Sequence, residues 1–261
     1  MAPSIAVLAS LGRHPASGRA RAADRDARAL GLALSLSSEV YVIHAGNPRE
    51  RALREYLGRG ARDLTVLAVP QDCDPVPALV EHLRAVRPAL VLAGVRAEGG
   101  EDSGLVPYLV AEALGMPVAA AAAGVTLEGG GARVLQALPR GQRRLLEAPL
   151  PLVVTVDATA PAPPAYAFAR AHRGRVIAVT AEAPADPAPA AWTVGPARKR
   201  PKRLRAATGT TAEERLRAAT QMVAGKGRLM VHPAPEEAAR AIWDYLAAEG
   251  IVAPASDPPP P

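Results

Sequence analysis

The sequence predicts an α/β fold: a mainly parallel sheet flanked by helices, with an antiparallel extension and a C-terminal arm. Three observations lead there. From residue 5 to residue 116, short apolar runs alternate with amphipathic stretches, the rhythm of βαβ crossovers. Over 117–156 the amphipathic stretches stop, and extended runs succeed one another across the turn signal Gly129-Gly130-Gly131. After residue 181 the chain becomes Pro-rich and then strongly basic, which suits an arm better than a core. The expected organisation is an α/β domain over 1–181, a Pro-rich and basic arm over 182–211, a helical segment over 212–252 and a tail over 253–261.

Residues 5–10 have the length and apolar character of a first parallel strand, and 12–22 behind them form a loop rich in Arg and small residues. Asp24 or Asp26 supplies the negative charge that a helix N-terminus favours, and the helix that follows carries the stripe Ala29, Leu30, Ala33, Leu34 and Leu36. Residues 40–44 are the second strand. They end in Ala45-Gly46-Asn47-Pro48, a turn with proline near a helix start, and the helix runs over 49–58 through Ala52, Leu53, Tyr56 and Leu57. A third strand over 64–69, a third helix over 75–86 and a fourth strand over 89–93 follow, the last apolar throughout and so buried on both faces. A further helix begins at Gly104, with Leu105, Leu109, Ala113 and Leu114 on one stripe. Extended runs over 117–125, 132–138 and 143–148 predict an antiparallel part, 152–156 is another buried strand, and 176–180 reads as an edge strand. Prolines rule out regular structure over 182–196. Two amphipathic helices, 212–223 and 236–248, close the pattern, the second with Ala239, Ile242, Trp243 and Leu246 inward.

The loop between the fourth strand and its helix reads most like a binding site. Residues 94–103 hold three glycines and three acids, and strand, glycine loop and helix in that order make a pocket for a nucleotide. N–H groups at the start of such a helix have no intrahelical partner, and the helix dipole favours an anion there. Most strand-to-helix loops of parallel α/β domains bind nothing, however, and neither GxGxxG nor GxxxxGK[ST] occurs.

At 261 residues and 49% hydrophobic content the chain can bury a full core. The single cysteine, Cys73, excludes a disulfide framework and a thiolate metal cluster, and its flanking Asp72 and Asp74 disfavour a reactive thiolate. The net charge of +6 is concentrated in Arg198-Lys199-Arg200-Pro201-Lys202-Arg203-Leu204-Arg205, without aromatics to stack on bases. A solvated connector or a docking surface for an acidic partner fits that run better than a specific nucleic-acid site. The N-terminal apolar run is too short to span a membrane and follows no basic segment, so a cytoplasmic chain is expected. His14, His44, His82, His172 and His232 are scattered, no GxSxG elbow occurs, and no catalytic constellation emerges.

With its surroundings, the loop region resembles the β subunit of electron transfer flavoproteins. The family's strand, its loop resembling GRQAIDGDTGQVGP and its AExLGxP are matched by Gly94-Val95-Arg96-Ala97-Glu98-Gly99-Gly100-Glu101-Asp102-Ser103-Gly104-Leu105-Val106 and by Ala111-Glu112-Ala113-Leu114-Gly115-Met116-Pro117, with one residue more before Asp102. Asp26-x-x-Ala29-Leu30-x-x-Ala33-Leu34, Ala45-Gly46 before a helix ending at Gly60-Ala61, and Leu150-Pro151-Leu152-Val153-Val154-Thr155-Val156 extend the similarity over residues 1 to about 180. Ala23-Asp24 stands where the family has Asn-Pro, and Ala162-Pro163-Pro164-Ala165-Tyr166 keeps only the Pro and Tyr of N-x-P-R-Y.

The resemblance implies the adenine-nucleotide α-hydrolase/HUP-like form of the fold and an electron carrier without catalytic residues of its own. It implies a heterodimer with an FAD-binding α subunit, passing electrons from a flavin dehydrogenase to a quinone reductase, with FAD shared between the subunits. In this chain it implies AMP, or a second FAD, held by Ala9, Ser10, Ala23, Asp24, Arg25, Asp26, Ala45, Gly94, Val95, Arg96, Ala97, Glu98, Asp102, Ser103, Gly104 and Leu105. A stand-alone adenine-nucleotide-binding protein of the same fold suits the missing catalytic constellation equally.

Overall fold

The computed structural model describes residues 3–99, 103–193, 195, 211–214, 216, 229–248 and 252. The chain divides into two compact units, Met1–Val194 and Gly195–Pro261. In the first unit the order is β1 (Ile5–Leu8), β2 (Leu11–Arg13), β3 (Ala20–Ala22), α1 (Asp24–Leu36), β4 (Val40–Gly46), α2 (Arg54–Gly58), β5 (Asp63–Ala68), α3 (Pro75–Val86), β6 (Leu90–Gly94) and α4 (Val106–Leu114). Then come β7 (Val118–Glu128), β8 (Gly131–Ala137), β9 (Arg143–Pro149), β10 (Leu152–Val156), α5 (Phe168–Arg173), β11 (Arg175–Thr180) and α6 (Pro187–Ala190). The second unit contains α7 (Pro235–Ala248).

A nine-stranded sheet in the order β11-β5-β4-β1-β6-β10-β7-β8-β9 carries the first unit, parallel from β11 to β7 and antiparallel from β7 to β9. β1, β6 and β10 are buried at every position, as their unbroken apolar runs require of strands covered on both faces. Alternation assigns the faces. Ile5, Val7, Leu90, Leu92, Leu152 and Val154 pack with Ala29, Leu30 and Ala33 of α1 and Tyr56 and Leu57 of α2. Ala6, Leu8, Val91, Ala93 and Val153 pack with Leu79 and Leu83 of α3 and Val110 and Ala111 of α4. The α3 boundaries follow from local chemistry: Asp74 caps the N-terminus by accepting from the Val76 N–H at 2.9 Å, and proline opens the first turn.

Several expectations give way. The loop at 12–22 contains the antiparallel hairpin β2–β3. The helix expected over 49–58 begins as a 3-10 turn at Arg51–Leu53. β7, expected to be antiparallel, pairs parallel with β10 through Val118 and Ala119 before it turns antiparallel to β8, because a strand as apolar as β10 needs a neighbour on each side. On α1, Leu34 faces outward and Leu32 is buried. On α4 the buried stripe is Pro107, Val110 and Ala111, leaving Leu105, Leu109 and Ala113 exposed, a shift of one helical position. The Pro-dense stretch after β10 packs over α1, with Ala160 buried and Pro164 against Gly31. Over 182–196 the arm is partly regular: Ala185 bridges Cys73, the Asp74 N–H donates to the Pro184 carbonyl, and α6 follows. Prolines at the first positions of a helix lose no bond that the helix would make. On α7, Ala239, Ile242 and Trp243, expected inward, are exposed, and Leu246 is half-buried. The run 198–205 and most of the helix expected over 212–223 lie outside the described residues.

Candidate functional site

β1 is the strand at which the winding reverses. From it the chain proceeds to β4 and β5 on one side, then returns to β6 on the other, while α1 and α4 leave β1 and β6 on opposite faces. In doubly wound sheets such a reversal, outside the carboxyl ends of the strands, is the usual place for a ligand crevice. Ala9 and Ser10 follow β1, Ala45 lies near the end of β4, Gly94 ends β6, and Ala23 to Asp26 start α1. The structure brings these residues to one rim.

Asp26 fastens the rim. Its Oδ2 accepts from the Ser10 N–H at 2.7 Å and the Ser10 hydroxyl at 2.5 Å, and its Oδ1 accepts from the Gly94 N–H at 2.6 Å. One buried carboxylate thus ties the ends of β1 and β6 to the first turn of α1. Burial raises its pKa above the ordinary value, and the three hydrogen bonds work against that rise. Gly94 has no alternative here, because a Cβ would lie 2.6 Å from Asp26 Oδ1. The Tyr56 hydroxyl donates to the Ser10 carbonyl at 2.5 Å, and burial, then the charge of Asp26, pushes this phenol well above its ordinary range. His44 Nδ1 lies 2.8 Å from the Ala9 carbonyl, which makes Nδ1 the protonated nitrogen, and burial lowers the pKa of the ring.

The loop after β6 folds back against the hairpin β2–β3. Glu98 accepts from the Asp24 N–H at 2.9 Å and pairs with Arg21 at 2.8 Å, so it closes the loop onto the start of α1. The Val95 N–H donates to the Val156 carbonyl at 3.0 Å, and Ala97 is half-buried beside it in the chain while Arg96 is exposed. Gly104 has φ +72 and sits where a Cβ would be 2.6 Å from the Val95 carbonyl oxygen, so the return of the loop depends on glycine. Ser103 is exposed, its hydroxyl 3.4 Å from the Leu105 N–H, and Leu105 is the exposed N-cap of α4. Pro107 in the first turn has no N–H, so α4 offers one donor fewer than an ordinary helix start. Asp102, expected in the site, lies outside the described residues.

Charge at the rim is nearly balanced. Arg28 Nε pairs with Asp24 at 2.8 Å, and Arg28 Nη1 donates to the Ala160 carbonyl at 2.5 Å. Burial acts to raise the Asp157 carboxyl, but bonds from the Thr159 N–H and hydroxyl and the charge of Arg25 hold it below its ordinary range. Among the described residues no group of three or more His, Cys, Asp or Glu side chains is arranged to hold a metal, and no helix is long and apolar enough to cross a membrane.

The profile of the electron transfer flavoprotein domain matches residues 12–184. A protein of Chromohalobacter salexigens named electron transfer flavoprotein subunit beta is 45% identical over 254 residues, covering 95% of each chain. The chain belongs to the electron transfer flavoprotein β-subunit family. Family membership makes it an electron transfer protein associated with flavin chemistry. Within that family frame, sequence reasoning left Tyr56, His44 and Arg21 out of the site. Tyr56 reads as one more core position of its helix, and only the fold shows its hydroxyl reaching Ser10, 46 residues away. His44 carried a usable signal, as a polar residue closing an apolar strand at the end where α/β sheets bind ligands.

Proposed function

We propose that this chain is the β subunit of a heterodimeric electron transfer flavoprotein, holding AMP or a second FAD in the crevice between β1 and β6. In this reading it shares an FAD with an α subunit and passes electrons from a flavin dehydrogenase to a quinone reductase in the cytoplasm. Residues 1–181 serve as the nucleotide-binding domain, and 182–211 and 212–252 as the arm and helical segment that engage partners. The observation that carries the reading is the rim itself, where Asp26 holds Ser10 and Gly94 together at the reversal point of the sheet.

The residues present fit an adenine nucleotide. Ala9, Ser10 and Ala45 offer small side chains at the strand ends, Gly94 and Gly104 let the loop after β6 pack closely on α1 and on Val95, and a buried guanidinium nitrogen of Arg25 has no acceptor. The FAD shared with the α subunit supplies the redox chemistry, and the task of this chain is to bind, orient and exclude water. Partner surface is available as well. Leu105, Tyr108 and Leu109 on α4 and Ile242, Trp243 and Tyr245 on α7 are exposed apolar side chains, and permanent heterodimers bury upwards of about 2,000 Å² of such surface.

Co-expression with the α subunit tests the proposal. A one-to-one yellow complex is expected, releasing an adenine nucleotide on denaturation as read by mass spectrometry. A colourless monomer that neither releases a nucleotide nor takes one up at millimolar concentration would sink it.

A further inference from the structure

The amino ends of β6 and β10 lie at the opposite end of the sheet from the nucleotide crevice, and there an open groove of about 660 Å³ is lined by the C-terminal ends of α3 and α4. Its floor is apolar. Leu83 is buried beneath it, while Leu114, Met116 and Leu150 are half-buried and line it with the surface they retain. Two cations, Arg84 and Arg87, line the same groove, and the lining includes no carboxylate. Arg84 Nη2 donates to the Ala113 carbonyl at 2.9 Å, so its side chain crosses from α3 to the last turn of α4 and is held there. Arg87 makes no hydrogen bond or ion pair among the described residues.

Arg87 also stands where an arginine is disfavoured. It is the C-cap of α3 with φ 50 and ψ 55, the left-handed conformation that helix ends usually give to glycine. A side chain there crowds its own backbone. The common reason for a cation at this end is the helix dipole, and Arg84 in the last turn already serves it. Strain of this kind clusters at ligand sites, where the strained residue has a use. A guanidinium meets a carboxylate through a planar fork of donors, and an apolar floor beside it takes the hydrocarbon of the same ligand. The volume lies within the range of small-molecule sites, about 300–1,000 Å³, which suits one small amphiphile better than a folded partner.

We propose that this groove binds the anion of a fatty carboxylic acid, with the hydrocarbon chain over Leu83, Leu114, Met116 and Leu150 and the carboxylate on Arg87, Arg84 standing beside it. The site lies apart from the nucleotide crevice and does not depend on its occupancy. Both halves of the ligand are needed. A small anion without a chain leaves the apolar floor to water, and an alcohol of the same length leaves the guanidinium without a charged acceptor.

Calorimetric titration of the full chain with dodecanoate, kept below its micelle-forming concentration, tests the site against dodecanol and acetate. One dodecanoate per chain is expected, with dodecanol and acetate each bound at least about tenfold more weakly, the scale of one charge-assisted hydrogen bond. Arg87→Gly should weaken dodecanoate binding about tenfold or more, yet melt above wild type or within about 2 °C of it, because glycine relieves the left-handed backbone as the guanidinium is lost. Met116→Glu, which sets a like charge on the floor, should weaken dodecanoate to a similar extent. Dodecanol bound as tightly as dodecanoate, several dodecanoates per chain with no response to Arg87→Gly, or no binding at all would overturn the inference. An Arg87→Gly chain that melts well below wild type would make the arginine a structural cap and overturn it too.

Discussion

Asp26→Ala removes the one side chain that ties two strand ends and a helix start together. Three hydrogen bonds to a carboxylate disappear, and the Ser10 and Gly94 N–H groups lose their acceptor in a region where Asp26 itself is only 4% exposed. Bonds to charged groups contribute about 1.5–3 kcal/mol each, but the mutant also escapes the cost of burying a charge, and water enters the vacated space. The net expectation is a loss of about 3–5 kcal/mol, a large share of the stability of a typical domain. Asp26→Asn keeps the volume and one acceptor oxygen for Gly94, but turns an NH₂ toward the Ser10 N–H, and should cost about 1–3 kcal/mol. Urea unfolding reads both, provided the slope with denaturant is unchanged. The pH dependence supplies a second check. Burial raises the folded pKa of Asp26 above its ordinary 3.8, so the folded chain binds the proton more tightly than the unfolded one. The proton-linked part of the Asp26 contribution, which adds to that of its hydrogen bonds, is fully present below 3.8 and is lost as pH rises through the raised value. Wild type should therefore gain on Asp26→Asn as the medium is acidified toward that value. An Asp26→Ala chain within about 1 kcal/mol of wild type would refute the staple.

Two further outcomes follow from the same rim. Gly94→Ala puts a Cβ 2.6 Å from Asp26 Oδ1 and 2.8 Å from Arg25 Cβ, so it should cost about 1–3 kcal/mol and weaken nucleotide uptake, whereas Gly124→Ala, with open space around it and no positive φ, should show no such clash. His44→Phe fills the ring's volume but loses the bond to Ala9, for about 1 kcal/mol at neutral pH. Because burial lowers the folded pKa of His44, its contribution is present above the ordinary 6.5 and lost as pH falls through the lowered value, so melting curves of wild type and His44→Phe should converge on acidification. Curves that stay parallel would show that the ring does not titrate as its burial requires.

The sheet was largely legible because its strands are unbroken apolar runs and its crossover helices have separate signals, as at Asp74-Pro75. Legibility failed where apolar residues line more than one side of a helix. α4 carries Leu105, Tyr108 and Leu109 beside Val110 and Ala111, and periodicity alone cannot say which stripe faces in. The positions of the rim were legible through resemblance, but the roles of its residues were not. Asp24 and Asp26 look interchangeable as charges at a helix start, yet one is half-buried with Arg28 and the other buried with Ser10 and Gly94. That difference arises from contacts 16 and 68 residues apart, which no local pattern encodes.

The two borders of the large sheet are defended unequally. β9 is guarded by Arg143, Arg144 and Glu147 and finishes on Pro149, residues that discourage another strand from adding on. β11 opens with Arg175 clasped to Asp63 at 2.9 Å, but then continues as Val176-Ile177-Ala178-Val179-Thr180, with Ile177 and Val179 exposed. An uncharged, β-branched edge of this kind is a template for intermolecular strand addition and the seed of an aggregate. At high concentration copies of this chain are expected to meet first along that border, so a charge placed at Ile177 or Val179 should raise solubility without touching the core.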